Sequence, residues 1–330
     1  MISSRSPETI PTVCCLGEVL VDFIAKEEGR LFEVSSFLKC PGGAPANVAV
    51  GVARLGVHTG FIGKVGLDAF GEFLVEELNR NGVDTKGIVR TNKAPTALAF
   101  VSRSKAGDRD FLFYREPCAD ALLTQDELPQ DWLQGVQYLH FGGVSLTREP
   151  SRQATIHAIE LAQSHGAIVS FDPNLRLDLW VDGLEGYQRT LRQVLKTVDI
   201  FLPSEEELEA LFATKNMKHA LIQAHELGPH TICLKRGNQG SLISTKSNDG
   251  TLDQFTQSPF DIPVRDTTGA GDGFNAGLLV GLAKGTSLRE AVAQGTAVAS
   301  LVITKIGAMT ALPTQDELTK FMKKFAGKVS

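Results

Sequence analysis

A short run of small residues, Gly269-Ala270-Gly271, precedes Asp272, and these residue types together could carry out chemistry on an anion. The run has almost no side-chain bulk, so its consecutive backbone N–H groups can converge on one phosphoryl group. From Gly273 onward, small and apolar residues predict a helix whose positive end would lie at the same place. Asp272 would repel an anion there unless it accepts a proton from an attacking hydroxyl. The alternative is that Asp272 only caps the helix.

Two segments resemble the signature motifs of the ribokinase-like carbohydrate kinases, often called the pfkB family. The downstream motif is Asp266–Asp272, with the sequence DTTGAGD, and the upstream motif is Gly42–Ala49, with the sequence GGAPANVA. The resemblance covers nearly the whole chain and is closest to the fructokinases. It implies an ATP-dependent sugar kinase acting on a primary hydroxyl, with the conversion of D-fructose to fructose 6-phosphate favoured and Asp272 as the base. The N–H groups of residues 269–272 would stabilise charge on the phosphoryl oxygens.

The resemblance also implies a set of residues that hold the sugar. Asp22 lies in an otherwise apolar run, where an unpaired carboxylate is costly, and the matching family position contacts sugar hydroxyls. The alternative for Asp22 is a place at a strand end in water. Asn47 offers both a donor and an acceptor to hydroxyls, although it could instead bond its own backbone at a helix start. Gly42 and Gly43 would let the backbone approach the sugar closely.

A second group of sugar-side residues comes from two later segments. Asp172, Asn174 and Arg176 follow a predicted strand, and ligands of open α/β sheets bind beyond the carboxyl ends of strands. The resemblance implies that Arg176 contacts the substrate, with Asp172 and Asn174 as supports. Phe113 and Arg115 would point toward the sugar from a β-hairpin. The alternative is that Phe113 is a core residue and Arg115 a charge in water.

Nucleotide and magnesium sites are implied further along the chain. Lys235, Gly237 and Gly240 belong to a turn that resembles the family's nucleotide-binding turn, from which Lys235 could reach the phosphates of ATP. An ordinary hairpin with basic residues in water would give the same pattern. Ser204 and Glu207 have the spacing of a capping box, which explains both residues. The family commonly has Asn-x-x-Glu here, with its Glu orienting Mg²⁺ through water, so the resemblance carries only the role of Glu207 over to this chain.

The resemblance implies a third kind of site, for a monovalent cation such as K⁺. Asp266 and Thr268 would lie beside this cation. In the family, the loop that matches residues 305–308 completes the site with its carbonyl oxygens. ATP, Mg²⁺ and K⁺ are therefore the expected small ligands besides the sugar.

Strands alternate with helices along the chain, which predicts a mostly parallel sheet covered on both faces. We expect a single ribokinase-like domain over residues 1–330, a three-layer α/β/α sandwich. The β-like runs 96–101 and 110–115 flank a turn at 105–108 and predict a hairpin.

We expect this hairpin to contribute to a small β-sheet lid over the active site, formed by about residues 20–40 and 94–117. Exposed sheets of this size are marginal alone. Members of the family often pair such lids between subunits. The resemblance therefore implies a homodimer that forms through the lid.

The composition favours an enzyme of small molecules over a nucleic-acid or membrane protein. The net charge of −5 does not indicate the excess of basic residues that is typical of proteins that bind nucleic acids or anionic membranes. The contents of 42% hydrophobic and 22% charged residues are ordinary for globular proteins. The five cysteines lack CxxC spacing, so neither a disulfide framework nor a zinc site is indicated. The first eleven residues lack an apolar signal-peptide core, and no stretch approaches the ~20 apolar residues of a membrane span. A cytoplasmic protein is expected.

Three other functions stay open at this point. A kinase for a sugar acid such as 2-keto-3-deoxygluconate is the nearest, because Arg115 and Arg176 could pair with a carboxylate. A non-catalytic sugar-binding regulator could use the same fold, although Asp272 and the neighbouring glycines argue against it. An NAD-dependent oxidoreductase is the weakest alternative, because no G-x-G-x-x-G motif follows the first strand.

Overall fold

The computed structural model describes residues 10–103 and 109–325, so the turn predicted at 105–108 lies outside the described residues. The strands, in chain order, are β1 (Val13–Leu16), β2 (Leu20–Ala25), β3 (Phe37–Gly42), β4 (Thr59–Gly66), β5 (Val83–Asp84), β6 (Ile88–Thr91), β7 (Leu98–Arg103), β8 (Arg109–Tyr114), β9 (Tyr138–Gly142), β10 (Ile168–Asp172), β11 (Ile200–Phe201), β12 (Thr231–Lys235), β13 (Ser241–Lys246) and β14 (Leu252–Gln257). The helices are α1 (Ala44–Arg54), α2 (Ala69–Arg80), α3 (Gln130–Leu133), α4 (Ser151–Ser164), α5 (Gly183–Val194), α6 (Glu205–Phe212), α7 (Met217–Leu227), α8 (Ala270–Ala283), α9 (Leu288–Ile303) and α10 (Gln315–Phe325).

The main sheet has the strand order β14-β13-β12-β11-β10-β9-β1-β4-β5, and β6 also pairs with β4. Its pairs are parallel except at the β12-β13-β14 end, where they are antiparallel. Within β1, Cys14 and Leu16 point into a core shared with α3–α7, whereas Val13 and Cys15 point into a core shared with α1, α2 and α8–α10. Helices therefore cover both faces, and the predicted three-layer α/β/α sandwich is confirmed.

Helix α8 begins at Ala270, three residues earlier than the start predicted at Gly273. Gly269 has a φ of 76°, a left-handed conformation that glycine adopts without steric penalty, and it turns the chain directly into the helix. Farther along α8, a Cβ on Gly277 would lie 2.8 Å from the Cα of Gly295 in α9. The small residues of both helices therefore allow close packing, which holds α8 against α9.

A second sheet is formed by four strands in the order β3-β2-β7-β8. Strands β7 and β8 pair antiparallel, as the predicted hairpin requires, although β7 begins and ends two residues later than the predicted run. Phe23 of β2 stacks on Phe100 of β7 and meets the edge of Phe70 in α2. These ring contacts fasten the second sheet to the main body.

Among the helices of the described residues, none combines the length and the apolar character needed to span a lipid bilayer.

Candidate active site

A cleft of about 730 Å³ lies at the carboxyl ends of the parallel strands, beneath the second sheet. Asp172 ends β10 and Lys235 ends β12, and both side chains line it, as expected for an open α/β sheet. The predicted site residues that line this cleft are Asp22, Gly43, Asn47, Phe113, Arg115, Asp172, Asn174, Arg176, Glu207, Lys235, Gly237, Asp266, Thr268, Gly269, Ala270, Gly271 and Asp272. Gly42 and Gly240 lie outside this lining.

The N-terminal end of α8 opens into the cleft. The backbone N–H groups of Gly271 and Asp272 lie in the first turn of the helix. They have no intrahelical acceptor, because the carbonyl groups four residues earlier lie before the helix begins. A Cβ on Gly271 would lie only 3.5 Å from Nζ of Lys235. A helix end and an ammonium group thus converge here, so the site can accept a phosphoryl group.

Asp272 contacts the upstream motif rather than capping its own helix. Nδ2 of Asn47 donates a hydrogen bond of 2.8 Å to Oδ2 of Asp272, although the two residues are 225 positions apart. Burial raises the pKa of Asp272 to about 6, and Asp172 adds to the rise, while Asn47, Lys235 and Arg176 oppose it. A carboxylate with this pKa is suited to accepting a proton near neutral pH.

Asp22 lies in the same part of the cleft. Burial raises its pKa to about 7, the positive charge of Arg176 opposes the rise, and the negative charge of Asp272 adds to it. A Cβ on Gly42 would lie 2.0 Å from Oδ2 of Asp22, so a larger residue there would force this carboxylate to move. Gly43 has a φ of 102°, and its Cβ would lie 2.4 Å from the carbonyl oxygen of Glu18. The two glycines therefore shape the loop around the acidic side chains.

Arg115 is buried and paired, which excludes the alternative of a charge in water. Its Nη2 donates a short hydrogen bond to Oδ2 of Asp120. Phe113 lines the cleft and also packs against the small apolar cluster that contains Leu20 and Ala99. Its proposed place facing the sugar and its alternative as a core residue are therefore both compatible with the structure.

Glu18 is a buried acidic group that sequence reasoning missed. Its Oε1 accepts a hydrogen bond of 3.0 Å from the backbone N–H of Ala44, at the start of α1. Burial raises its pKa to about 7, the positive charge of Arg115 opposes the rise, and Asp120 adds to it. The signal was available, because Glu18 interrupts an apolar stretch in the same way as Asp22.

Asp172 contacts Lys235 within the cleft. Oδ2 of Asp172 accepts hydrogen bonds from Nζ of Lys235 at 2.5 Å and from Nδ2 of Asn275 at 2.6 Å. Its Oδ1 accepts a bond of 3.1 Å from the backbone N–H of Asn174, whose φ of 39° marks a tight turn. Lys235 is therefore ion-paired within the cleft rather than an unpaired basic residue in water, and Asn275 is a further residue that sequence reasoning missed.

Glu207 forms the predicted capping box and also holds the loop after β10. Its carboxylate oxygens accept hydrogen bonds from the backbone N–H groups of Ser204 at 2.7 Å and Leu175 at 2.8 Å. Arg176, the next residue in that loop, is exposed, and its Nη1 donates to the carbonyl oxygen of Leu175. The capping interpretation of Glu207 thus accounts for its position, and its carboxylate still lines the cleft.

Asp266 ties two loops together beside the start of α8. Its Oδ1 accepts from the backbone N–H of Thr268 at 3.0 Å and from its hydroxyl at 2.7 Å. Its Oδ2 accepts from the backbone N–H of Gly307 at 3.1 Å. The loop 305–308 is therefore held against the turn that leads into α8.

A second pocket, of about 620 Å³, adjoins the cleft and shares Lys235, Gly237 and the start of α8 with it. The apolar side chains that line it are Pro259, Phe260, Ile262, Val264, Phe274, Ala299 and Ile303. Gly240 lies at its edge with a φ of 79°, and a Cβ there would lie 2.0 Å from the carbonyl oxygen of Gln257. Sequence reasoning missed the apolar lining, because its residues come from separate segments and each looks like an ordinary core residue.

No group of three or more His, Cys, Asp or Glu side chains converges as a metal site within residues 10–103 and 109–325. The arrangement of base, helix end and ammonium suits transfer of a phosphoryl group that arrives with its own oxygen ligands.

Comparisons with known proteins identify a family and several similar proteins. The profile of the pfkB family carbohydrate kinases matches residues 11–315. Probable fructokinase-4 of Arabidopsis thaliana is 38% identical over 321 residues, which cover 94% of this chain and 96% of that protein. The fructokinase of Xylella fastidiosa with bound ATP has a TM-score of 0.83 and 32% identity, covering 96% of this chain and 100% of that one. A candidate ribokinase II from E. coli, in complex with ATP and Mg²⁺, has a TM-score of 0.85 and 30% identity, covering 95% and 99% respectively.

Proposed function

This chain belongs to the pfkB family of carbohydrate kinases, and we propose that it phosphorylates D-fructose at the 6-hydroxyl with ATP as the donor. The observation that carries the proposal is the 2.8 Å hydrogen bond between Asn47 and Asp272. It joins the upstream motif, which faces the sugar, to the base at the N-terminal end of α8. Both motifs therefore act on one cleft.

In the proposed reaction, the carboxylate of Asp272 accepts the proton of the sugar hydroxyl as its oxygen bonds to the γ-phosphorus. The bond between that phosphorus and the β,γ-bridging oxygen breaks, and ADP leaves. The N–H groups of Gly269, Gly271 and Asp272, together with Lys235, stabilise charge on the transferring oxygens. The N–H group of Ala270 instead donates to the carbonyl oxygen of Thr267. Because the transition state is loose, placement and fixed dipoles supply most of the rate enhancement.

The two pockets suggest how ATP lies. The second pocket is apolar enough for the adenine base, with Gly237 and Gly240 beside the nucleotide, and its boundary with the cleft at Lys235 suits the phosphates. Mg²⁺, when bound, neutralises charge on the phosphate oxygens. Glu207 would orient that ion through water, because its carboxylate lines the cleft.

The sugar is held on the opposite side of Asp272. Asp22 and Asn47 bond its hydroxyls, with Gly42 and Gly43 keeping the backbone clear. Arg176 completes this group from the loop after β10, where Asn174 supports its turn. Phe113 and Arg115 close the sugar side from the second sheet, which acts as a lid that excludes water.

Fructose is favoured over a keto sugar acid because the cleft has little uncompensated positive charge on the sugar side. Arg115 is neutralised by Asp120, and Arg176 interacts with both Asp22 and Asp272. We expect kcat/KM for fructose to exceed that for 2-keto-3-deoxygluconate by about tenfold or more. This factor corresponds to the free energy lost when one charged hydrogen bond is not formed. A coupled assay of ADP release with fructose, ketodeoxygluconate, ribose and a nucleoside measures this order.

The same assay separates an enzyme from a sugar-binding regulator on this fold. A regulator would bind fructose without sugar-dependent release of ADP. A preference for ketodeoxygluconate would indicate a sugar-acid kinase instead of a fructokinase. The absence of turnover with every sugar would contradict the proposal of a sugar kinase.

The raised pKa of Asp272 predicts the pH dependence of the reaction. The base must be unprotonated, so kcat/KM should fall as the pH drops through about 6 to 7, where Asp272 and Asp22 titrate together, rather than near the ordinary Asp value of about 3.9. Replacing Asn47 by Ala removes a hydrogen bond that stabilises the Asp272 carboxylate, so the acid limb should move to higher pH. Rate profiles of both proteins between pH 4.5 and 9 test this, and a wild-type kcat/KM that stays constant down to pH 4.5 would contradict it.

Three further features are part of the proposal. The lid pairs with the lid of a second copy to form a homodimer, which is supported by exposed Leu112 and Tyr114 on one face of the second sheet. K⁺ binds beside Asp266 and Thr268, which is supported by their link to the loop at Gly307. A cytoplasmic location is supported by the five cysteines, all of which are free thiols.

A further inference from the structure

Asp172 accepts three hydrogen bonds at its two carboxylate oxygens. It is 4% exposed, so its carboxylate offers almost no surface to a substrate. Its three donors come from different parts of the fold: Lys235 at the end of β12, Asn275 in α8, and the backbone of Asn174 in the loop after β10. These three hydrogen bonds orient the carboxylate toward Lys235 and Asn275.

Lys235 is the donor whose position bears on chemistry. Its Nζ lies 3.5 Å from the position that a Cβ atom on Gly271 would occupy, beside the first turn of α8. An ammonium group has three donors, and Asp172 accepts one of them, so the remaining donors can reach phosphoryl oxygens. A lysine side chain has a long, flexible stem, and without a fixed partner its ammonium would sample many positions.

We propose that Asp172 is a positioning residue for phosphoryl transfer, which holds the Lys235 ammonium against the N-terminal end of α8. It does not serve as a sugar contact. The inference rests on the proposed function in one respect, namely that the transferred group is a phosphoryl group from ATP.

The geometry of Oδ2 explains why an acidic residue is needed at position 172. This single oxygen accepts from both Lys235 and Asn275, and therefore sets the distance between the ammonium and the helix that carries Asp272. Burial disfavours the charged form of Lys235, but the negative charges of Asp172, Glu207 and Asp272 together outweigh burial and raise the pKa of the lysine. Asp172 is the one of these three that also accepts a hydrogen bond from the ammonium, so it both favours the charge and fixes its place.

The test is the Asp172→Asn variant, which keeps the size of the side chain and removes its charge. Affinities for the non-hydrolysable analogue AMP-PNP with Mg²⁺ and for fructose are measured separately by calorimetry, and kcat by the coupled assay. We expect AMP-PNP affinity to fall about tenfold or more and kcat to fall about 10²-fold, with fructose affinity unchanged. Ser170→Ala is the matched control, because Ser170 is buried in the same strand and bonds His140 outside the cleft.

A double-mutant cycle shows whether Asp172 acts through Lys235. Lys235→Met alone should weaken AMP-PNP binding, and adding Asp172→Asn to it should have little further effect. The cycle also covers the case in which Asp172→Asn folds poorly, because the double variant removes both buried charges together.

Several outcomes would overturn the proposal. Weaker fructose binding with unchanged AMP-PNP binding would make Asp172 a sugar contact. Tighter AMP-PNP binding would show that Asp172 only neutralises Lys235, and additive effects in the cycle would separate the two residues. If the wild-type protein binds AMP-PNP but phosphorylates another sugar, the fructose proposal fails, while the AMP-PNP measurements still decide the role of Asp172.

Discussion

Replacing Asp272 by Asn is expected to lower kcat by roughly two to four orders of magnitude, the range for loss of a positioned general base. The substitution keeps the size of the side chain, and an amide oxygen can still accept the hydrogen bond from Asn47. The amide cannot take the proton of the sugar hydroxyl. KM for both substrates should therefore change little. Steady-state kinetics with varied ATP and fructose measure the effects on kcat and KM separately.

Thermal unfolding distinguishes this role from helix capping. Burial raises the pKa of Asp272, so its charged form is disfavoured in the folded protein, and the neutral Asn variant should be at least as stable as the wild type. Asp68 is the matched control, because its side chain does cap α2 by accepting from the N–H groups of Phe70 and Gly71. Asp68→Asn should leave kcat near normal. Near-normal turnover of Asp272→Asn would refute the assignment of the base.

Replacing Gly269 by Ala is expected to damage both stability and turnover. Gly269 has a φ of 76°, and a Cβ there would lie 2.7 Å from Cβ and 2.8 Å from Cα of Ala308. The new methyl group must push the start of α8 away from the loop that contains Ala308. Because misplacement of catalytic groups by about 1 Å can cost 10²-fold, kcat should fall by about that factor. Chemical denaturation and the coupled assay measure the two effects.

Gly285, near the other end of α8, provides the control. Its φ is 75°, but a Cβ there would meet no atom within 4 Å. Gly285→Ala should therefore lower the free energy of unfolding only by the cost of a left-handed backbone at alanine, about 1 to 2 kcal/mol, and kcat should be unchanged. If Gly269→Ala matched Gly285→Ala in both stability and kcat, the position of the α8 N-terminal end would not matter for catalysis.

Interactions of long sequence separation supply what sequence reasoning left open at the site. The position of Asp172 after a strand predicted a supporting role on the sugar side, and the structure adds its contact with Lys235, 63 residues away on β12. For Arg115 the sequence left a sugar contact and an edge charge in water open, and the second is excluded because the fold places Asp120 against the buried guanidinium. A pattern of residue types reports which chemistry a side chain can do, whereas the choice among available partners depends on how the strands are ordered.

The start of α8 shows, over a few residues, the same difference between what the sequence predicts and what the fold decides. Small residues predicted the helix correctly, but its first residue depends on the left-handed conformation of Gly269, which is set against the loop at Ala308. Glu18 could have been found, since it is an acidic residue in an apolar stretch like Asp22. The apolar second pocket could not, because its walls join only when the segment before α8 meets α9.

The sequence by itself determined the family, the alternation of strands and helices, and the anion-binding run with its acidic neighbour. These features are local, because periodicity, glycine content and helix polarity act over a few residues. Only the tertiary structure decided that Asn47 bonds Asp272, that Asp172 pairs with Lys235, and that Asp120 neutralises Arg115. Buried charges must find partners wherever the packed fold brings them, and that requirement is met in three dimensions rather than along the chain.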